Sequence, residues 1–252
     1  MSNRVAFVTG GAQGIGEGIS KTLGAQGFWV AVADLNVVRA KETAEAITSG
    51  GGKAIPVEVD VTDSGSVAAA VKAATDEFGP VEIVVNNAGF DDFMKFVDTT
   101  EDFWDRILDV NFKGALRVIK EAVPGMIDRG WGRVVNIGSD AGRVGSSLES
   151  VYSGAKGGII AFTKTLAREV ASKGITANTV CPGPTDTPAL RKFADSSGQD
   201  AEKVIGGMTK AVPMRRLAAP DDIAAAVSFF ASDAAGYVTG QTLSVSGGLT
   251  MA

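Results

Sequence analysis

Tyr152 and Lys156 have the residue types and the spacing that proton transfer to or from an alcohol requires. Residues four positions apart lie on the same face of a helix, so the ammonium group would lie beside the phenol. Free tyrosine has a pKa of about 10, and a nearby cation lowers this pKa because it favours the phenolate. Such pairs are also common on ordinary helix surfaces, so the interpretation depends on the other motifs of the chain.

A glycine-rich segment predicts a phosphate site. Residues 9–16 read TGGAQGIG after a predicted strand, and a helix is predicted over residues 17–26. Gly10, Gly14 and Gly16 follow the spacing G-x-x-x-G-x-G. A glycine-rich turn of this kind lets the backbone approach a pyrophosphate and directs the helix N-terminus at that anion.

The second predicted strand ends at Asp34, eighteen residues beyond Gly16. A carboxylate at this position binds the ribose hydroxyls of a dinucleotide, and it would repel the 2′-phosphate of NADP. Residues 10–16 contain no lysine or arginine that would receive that phosphate. These features favour NAD as the cofactor. The alternative is that Asp34 only caps the next helix, and Arg39, one turn further, is interpreted as a solvated residue.

Short apolar runs alternate with helical patterns along the whole chain. Most of the runs are continuous rather than alternating, which is typical of strands buried on both faces of a parallel sheet. Strands are predicted over residues 5–8, 28–33, 54–59, 81–85, 133–137, 175–180 and 242–245. Helices are predicted from Asp63 or Ser64 to Phe78, over 101–129 and over 221–231.

This alternation predicts an α/β fold, namely a Rossmann-type, doubly wound, seven-stranded parallel sheet with helices on both faces. Without a linker or repeat, residues 1–252 are interpreted as one dinucleotide-binding catalytic domain. Residues 188–212 are polar and lie between two regular units. They are predicted to form either a lid over the substrate or a surface insertion.

Composition excludes several other kinds of chemistry. The 252 residues include no histidine and one cysteine, Cys181, so a Ser-His-Asp triad, a histidine-ligated zinc and an internal disulfide are impossible. We expect no metal. The net charge of −5 argues against a nucleic-acid partner. No apolar run approaches the ~18–20 residues of a membrane span, and a strand that starts at Val5 leaves no room for a signal peptide. We therefore expect a cytoplasmic protein.

Further motifs complete a family pattern. Asn86-Asn87-Ala88-Gly89 follows the fourth predicted strand, Ser139 follows the fifth, and Pro182-Gly183 follows the sixth. Together with the glycine loop and the Tyr-x-x-x-Lys pair, these motifs resemble the short-chain dehydrogenase/reductase family in its single-domain branch. The resemblance covers the whole chain. It implies hydride transfer between a secondary alcohol or ketone and a nicotinamide cofactor, and it implies a homotetramer.

The resemblance also implies residue roles. Tyr152 would be the acid–base group, Lys156 would lower its pKa and hold the ribose, Ser139 would bind the substrate oxygen, and Asn111 would support a water relay. Thr185 stands where the family usually has Ile or Val, and Ser246 stands where it often has Asp. The implied cofactor-binding residues are Gly10, Gln13, Gly14, Ile15, Gly16, Asp34, Leu35, Asp60, Val61, Asn87, Ala88, Gly89, Tyr152, Lys156, Pro182, Gly183, Thr185 and Thr187.

The substrate is less constrained. An apolar wall with basic residues at its rim is predicted from Phe90, Phe93, Arg143, Leu148, Leu190 and Arg191. Residues 140–147, 180–187 and 244–251 resemble the family members that oxidise a ring hydroxyl beside a coenzyme A thioester, so a cyclic 2-hydroxyacyl-CoA such as 2-hydroxycyclohexanecarboxyl-CoA is expected. Three alternatives stay open: a broad secondary or cyclic alcohol dehydrogenase, a 3-oxoacyl thioester reductase, and a non-catalytic NAD-binding sensor.

Overall fold

The structure is a computed structural model that describes residues 3–196 and 198–251. Within these residues one parallel sheet of seven strands has the order β3-β2-β1-β4-β5-β6-β7. The strands are β1 Val5–Thr9, β2 Trp29–Asp34, β3 Lys53–Glu58, β4 Val81–Asn86, β5 Gly132–Ile137, β6 Ile175–Pro182 and β7 Thr242–Val245. The predicted doubly wound α/β fold is confirmed.

Helices cover both faces of this sheet. They are α1 Gly14–Ala25, α2 Val37–Ser49, α3 Ser64–Phe78, α4 Glu101–Leu108, α5 Gly114–Arg129, α6 Ala141–Val144, α7 Ser150–Val170, α8 Pro188–Ser196, α9 Ala201–Ala211 and α10 Pro220–Ala231. One apolar core lies between the sheet and α3, α5 and α7. A second lies on the opposite face, against α1, α2 and α10. The continuous apolar runs of the strands are explained by this burial on both faces.

Several predicted boundaries differ from the structure. The helix after the glycine loop begins at Gly14 rather than at residue 17. The helix predicted over 101–129 is interrupted by a π-helical turn, Asp109–Lys113, which contains Asn111. Asp60 and Val61 follow β3 rather than ending it, and Pro182 is the last residue of β6. Asp63 caps α3 as predicted, with its carboxylate accepting from the Gly65 N–H.

Residues 188–212 consist mainly of two helices, α8 and α9, with Ser197 outside the described residues. Pro188 begins α8, and Asp200 caps α9 by accepting from the Lys203 N–H at 3.1 Å. The segment therefore forms helices that begin at a proline and after a capping aspartate, although its polar composition shows no strong helical periodicity of apolar residues.

The strand order reverses between β1 and β4. The chain leaves β1 towards one side of the sheet and returns through β4 on the other side, so the loops after these two strands separate and leave a crevice at their carboxyl ends. This is the position where doubly wound sheets bind their ligands. Among the described residues, no helix is long and apolar enough to cross a membrane.

The core contact between α10 and the sheet generates the first prediction. Ile223 is fully buried, so Ile223→Ala leaves a cavity and should lower the free energy of unfolding by about 2–5 kcal/mol. Val97→Ala, at an exposed position, should change it by less than about 0.5 kcal/mol. Urea unfolding at one fixed protein concentration measures both variants. Equal effects of the two substitutions would contradict the assignment of Ile223 to the core.

Candidate active site

The loop after β1 is shaped for an anion. Gly10 and Gly14 have φ angles of +60° and +54°, which favour glycine. Gly16 packs so closely on the carbonyl of Gly10 that no Cβ would fit there. The N-cap residue of α1, Gln13, makes no capping hydrogen bond with its side chain. The first N–H groups of α1 are therefore available to a phosphate.

Asn87 and Thr9 join this loop to the end of β4. The Asn87 amide donates to the carbonyls of Thr9 and Gly10 at 3.1 and 2.9 Å. The Thr9 hydroxyl accepts the backbone N–H groups of Asn87 and Ala88 at 3.0 and 3.1 Å. These bonds bring the predicted cofactor residues of the two loops together. The sequence analysis did not identify the role of Thr9, the last residue of β1.

The Asp34 carboxylate is held in place at the end of β2. It accepts the N–H of Ala12 at 3.1 Å and the N–H of Asn36 at 2.9 Å. The cap of α2 is Asn36, which accepts from the Arg39 N–H, so the interpretation of Asp34 as the cap is wrong. The Arg39 guanidinium is exposed but not free, because it donates to Gln13 Oε1 at 2.7 Å.

A groove of about 440 Å³ runs between β3 and α3. Leu35, which follows Asp34, and Asp60 both line it, and both are among the predicted cofactor-binding residues, Asp60 as a contact of the adenine. The backbone and hydroxyl of Thr62 donate to Asp60 Oδ1 at 2.8 and 2.7 Å, and these bonds lower the pKa of Asp60. Val61 is buried and packs against Gly114.

Asn111, Gly89 and Lys156 converge at the carboxyl end of β4. The Asn111 amide donates to the carbonyls of Phe90 and Ile107 at 2.8 and 3.0 Å. Its Oδ1 is buried without a hydrogen-bond partner among the described residues. A Cβ on Gly89 would lie 2.6 Å from this oxygen and 3.4 Å from Lys156 Nζ. An unpartnered acceptor beside an ammonium group is suited to the water relay implied for Asn111.

Lys156 is buried and donates from Nζ to the carbonyl of Ile137 at 2.9 Å. Burial lowers its pKa to about 8 because the charged form loses solvation. Nζ lies 5.5 Å from the centroid of the Tyr152 ring. The Ser139 hydroxyl accepts the Ala141 N–H at 3.1 Å. The predicted group of Asn111, Ser139, Tyr152 and Lys156 is thus brought to one place.

The pKa of Tyr152 is raised in the chain by itself, so the lowering implied for Lys156 does not dominate there and stays a prediction. Burial raises the pKa of Tyr152, and the charges of Asp91 and Glu149 raise it further. A hydrogen bond to the Ser139 side chain opposes these effects without reversing them. This environment favours the uncharged phenol form of Tyr152 at neutral pH.

Asp91 and Glu149 are functional candidates that the sequence analysis missed. Both line a narrow crevice that also contains Tyr152. Burial, followed by the interaction with Glu149, raises the pKa of Asp91 to about 8. The available sequence signal was their position, because Asp91 lies two residues after Gly89 and Glu149 lies three before Tyr152.

The segment after β6 closes the other side of the cleft. Pro182 ends the strand, and a Cβ on Gly183 would lie 2.7 Å from the side chain of Ser246. Thr185 is buried and donates to the Gly183 carbonyl at 2.9 Å. The Thr187 methyl group lies 3.3 Å from where a Cβ on Gly14 would be. Thr187, one of the predicted cofactor-binding residues, therefore lies directly against the phosphate loop.

Aromatic side chains form part of the predicted apolar wall. The rings of Phe93 and Phe193 are 3.8 Å apart between centroids, which brings α8 against the loop after β4. Phe90 packs near the Arg106 guanidinium, 5.4 Å away. Leu148 lines the crevice beside Tyr152, and Leu190 is half-buried in α8.

The two basic residues predicted for the rim have partners within the chain. Arg143 donates to the Ser244 hydroxyl of β7 at 2.6 Å, and this hydroxyl donates to Asp140. Arg191 forms a bidentate ion pair with Asp186, with both contacts at 2.8 Å. The structure thus turns Arg143 towards the sheet edge instead of leaving it as a free cation. Exposed Arg191 remains accessible from solvent.

The reversal of strand order beside a phosphate loop is typical of dinucleotide-binding proteins. Two further features fit a dinucleotide: the start of α1 has no side-chain cap, and the buried Oδ1 of Asn111 has no hydrogen-bond partner among the described residues.

Comparisons with known proteins identify the class more closely. The family model described as Enoyl-(Acyl carrier protein) reductase matches residues 10–250. The 3-oxoacyl-(acyl-carrier-protein) reductase FabG of Vibrio cholerae is 38% identical over 252 residues, covering 100% of this chain and 99% of the relative.

The galactitol 2-dehydrogenase of Agrobacterium fabrum is 36% identical over 98% of both chains. A crystal structure of an actinorhodin polyketide ketoreductase with NADPH superposes with a TM-score of 0.93 and 34% identity, covering 98% of this chain and 97% of the other. The chain belongs to the short-chain dehydrogenase/reductase family. It is an oxidoreductase that acts on alcohol or keto groups of small molecules and uses a nicotinamide cofactor.

The buried carboxyl of Asp91 generates the second prediction. Its pKa is about 8 in the folded state against 3.8 as a free side chain, so the folded state binds the extra proton. Its contribution to stability is therefore full below pH 4 and is lost as the pH rises to about 8. Asp91→Asn should remove this loss, so the variant gains stability relative to the parent at pH 8.5 compared with pH 4.5.

Urea unfolding of both proteins at the two pH values measures the difference. Asp92→Asn is the matched control, because Asp92 is exposed and should show no such gain. A parallel pH dependence of the parent and the Asp91→Asn variant would contradict the raised pKa.

Proposed function

We propose that the chain is an NAD-dependent dehydrogenase of secondary alcohols whose catalytic group is Asn111, Ser139, Tyr152 and Lys156. The observation that carries the proposal is the convergence of Asn111 Oδ1 and Lys156 Nζ on Gly89, beside the Tyr152 ring. These polar groups meet at the strand-order reversal, where a dinucleotide would bind.

In oxidation, Tyr152 takes the proton of the substrate hydroxyl, and in reduction it returns that proton to the alkoxide oxygen. Ser139 orients this oxygen by a hydrogen bond. Lys156 stabilises the phenolate by its charge, and Asn111 holds a water that passes the proton towards solvent. Bound oxidised nicotinamide supplies a hydride acceptor and a positive charge, which offsets the burial that raises the pKa of Tyr152.

NAD is the proposed cofactor because the Asp34 carboxylate is fixed by two backbone N–H groups beside the adenine groove. A fixed carboxylate binds the ribose hydroxyls and repels a 2′-phosphate. The guanidinium of Arg39, on the helix that follows Asp34, is engaged by Gln13.

The third prediction tests this selectivity. Asp34→Ser should lower the kcat/KM ratio of NAD to NADP by about 10- to 100-fold, because hydrogen bonds to a charged group contribute about 1.5–3 kcal/mol. Initial rates with each cofactor at limiting concentration give the ratio. Asp63→Asn, which changes a carboxylate at the cap of α3, should leave it unchanged. A parent enzyme that prefers NADP would contradict the proposal.

For the substrate we propose a cyclic 2-hydroxyacyl-CoA, similar to 2-hydroxycyclohexanecarboxyl-CoA. The closely packed rings of Phe93 and Phe193, tilted by 31° to each other, provide an apolar surface that suits a saturated ring. The exposed guanidinium of Arg191 lies on α8, where it can meet the phosphates of the coenzyme A arm. The sequence stretches 140–147, 180–187 and 244–251 support the same class.

Reduction of a 3-oxoacyl thioester is the second candidate. It is favoured by the similarity to the 3-oxoacyl-(acyl-carrier-protein) reductase of Vibrio cholerae and by the raised pKa of Tyr152, which favours the proton-donating phenol. NADH formation from NAD with 2-hydroxycyclohexanecarboxyl-CoA, its free acid and cyclohexanol separates the first candidate from a general alcohol dehydrogenase. NADH consumption with acetoacetyl-CoA tests the second.

The fourth prediction concerns Tyr152. Tyr152→Phe removes the acid–base hydroxyl and should lower kcat by about 10²- to 10⁴-fold, while the Kd of NAD changes little. Tyr237→Phe is the matched control, because Tyr237 is the other tyrosine of the chain and is fully exposed. Steady-state rates and calorimetric titration with NAD measure the two quantities. Retained turnover in the Tyr152→Phe variant would contradict the mechanism.

We further propose that residues 1–252 are one catalytic domain, that residues 188–212 cover the substrate, and that the protein is a homotetramer. The covering role is supported by the contact of Phe193 with Phe93. Self-association is supported by exposed apolar side chains on α10, β7 and the C-terminal segment, namely Phe229, Leu243, Leu249 and Met251. Light scattering of the purified protein tests the assembly.

A further inference from the structure

The side chains of Asp91 and Glu149 meet beside Tyr152, although they come from different loops. Asp91 lies in the loop after β4, and Glu149 directly precedes α7. The two loops are also joined by a backbone hydrogen bond of 2.9 Å from Met94 to the Leu148 carbonyl. Glu149 occupies the N-cap position of α7 but makes no capping hydrogen bond with its side chain. Its carboxyl group instead interacts with Asp91.

Asp91 and Glu149 interact through their carboxyl groups, and the hydrogen bonds of Asp91 leave one of its oxygens for this contact. Oδ1 accepts the N–H of Asp92 at 2.8 Å. Oδ2 is buried and receives no hydrogen bond from a fixed donor among the described residues. An ionised carboxylate only accepts hydrogen bonds, so two carboxyl groups can bond to each other only through a proton that one of them carries. Such a pair has one proton and one negative charge at neutral pH.

We propose that Asp91 and Glu149 form a proton-sharing pair whose single negative charge excludes substrates with an anionic group next to the reacting carbon. This inference rests on the proposed function, because it concerns the alcohol or ketone that approaches Tyr152. Asp91 and Glu149 line the same crevice as Tyr152, and their charges act on the Tyr152 hydroxyl, so the charge of the pair also acts on a substrate whose oxygen meets that hydroxyl. A free 2-hydroxy- or 3-oxo-carboxylate is repelled there, whereas a thioester or ester is uncharged at the same position.

The phosphates of a coenzyme A ester do not suffer this repulsion. They lie at the far end of the pantetheine arm, more than the Debye length of about 8 Å away at physiological salt. The pair therefore discriminates between a free carboxylate and an uncharged thioester or ester at the position next to the reacting carbon. This makes the neutral N-acetylcysteamine thioester an informative probe, because it has the thioester but no phosphate.

The test compares kcat/KM for neutral and anionic partners of the same carbon skeleton. One pair is the N-acetylcysteamine thioester of 2-hydroxycyclohexanecarboxylic acid and its free acid, and the other is ethyl acetoacetate and acetoacetate. We expect the parent to prefer the neutral member of each pair by at least about tenfold, the size of one unscreened charge–charge repulsion near a protein surface. The double variant Asp91→Asn/Glu149→Gln should lose most of this preference by gaining activity on the anion.

Matched variants separate charge from shape. Asp91→Asn alone replaces one of the two carboxyl groups, and the pair keeps the single negative charge that it has in the parent, so the preference at pH 7 should equal that of the parent. Asp92→Asn removes an exposed carboxylate that makes the smallest contribution to the electrostatics of Asp91, so most of the preference should remain. An unchanged preference in the double variant, or an equal loss in the Asp92→Asn control, overturns the inference. NAD titration of each variant confirms that it is folded.

A pH series on the parent and on the double variant Asp91→Asn/Glu149→Gln gives a second test. Asp91 has a pKa of about 8, so the pair should carry two charges above that pH and the preference of the parent for neutral substrates should increase. The other ionisable groups that act on this region are Asp92, Tyr152 and Lys156. Loss of the Lys156 proton, which also has a pKa of about 8, removes a positive charge from the same region in both proteins, so only the increase that the double variant lacks is assigned to the pair. An equal increase in the two proteins from about pH 6 to pH 9.5, or no increase in the parent, also overturns the inference.

The two proposals fail in distinguishable ways. If no ring thioester is oxidised but the acetoacetate pair shows the charge preference, the proposed substrate is wrong and the carboxyl pair is supported. If the ring thioester and its free acid are oxidised equally, the carboxyl pair is overturned while NAD-dependent alcohol oxidation stands.

Discussion

The first turn of α1 packs against the carbonyl of Gly10 with no space for a side chain at Gly16, and the geometry of the cofactor cleft depends on this contact. Because α1 begins there, its N–H groups lie at the carboxyl end of β1. Asn87 then binds the carbonyls of Thr9 and Gly10, which brings the end of β4 to the same point. The loops after β1 and β4, two strands that are far apart in the sequence, thereby form the two walls of one crevice.

Burial of ionisable groups in this crevice sets its chemistry. Lys156 and Tyr152 are both withdrawn from solvent, and burial moves their pKa values in opposite directions, towards neutral forms. The negative charges of Asp91 and Glu149 add to the effect on Tyr152. These shifts favour the phenol form of Tyr152 in the protein alone. In the proposed mechanism, a bound oxidised nicotinamide would add positive charge beside the phenol and favour the phenolate, which would link the redox state of the cofactor to the direction of proton transfer.

The cofactor half of the site could be predicted because local rules fix it. A buried parallel strand reads as a continuous apolar run, as in β1 and β4, and the glycine turn and Asp34 stand at the ends of such runs. The π-helical turn around Asn111 could not be predicted, because residues 101–129 keep a helical pattern throughout. The hydrogen bond from Arg143 to Ser244 could not be predicted either, because it joins side chains that are 101 residues apart in the sequence. The meeting of Asp91 with Glu149 depends on tertiary packing in the same way.

The substrate half of the site is formed by the loop after β4 and the loop before α7, which have no regular apolar periodicity in the sequence. In these loops the charged side chains restrict the choice of substrate more than the apolar ones do. Leu148 adopts a φ of +69°, a strained conformation for a residue with a side chain, and its carbonyl still accepts from Met94. Holding these two loops together brings two carboxyl groups into contact, which is unfavourable unless a proton is shared. An apolar wall accepts many ring and chain shapes with similar energy, whereas a fixed charge beside the reacting carbon separates acids from esters. A proton-sharing pair of Asp91 and Glu149 would therefore make the charge of the group next to the carbinol the substrate property that this site discriminates most sharply.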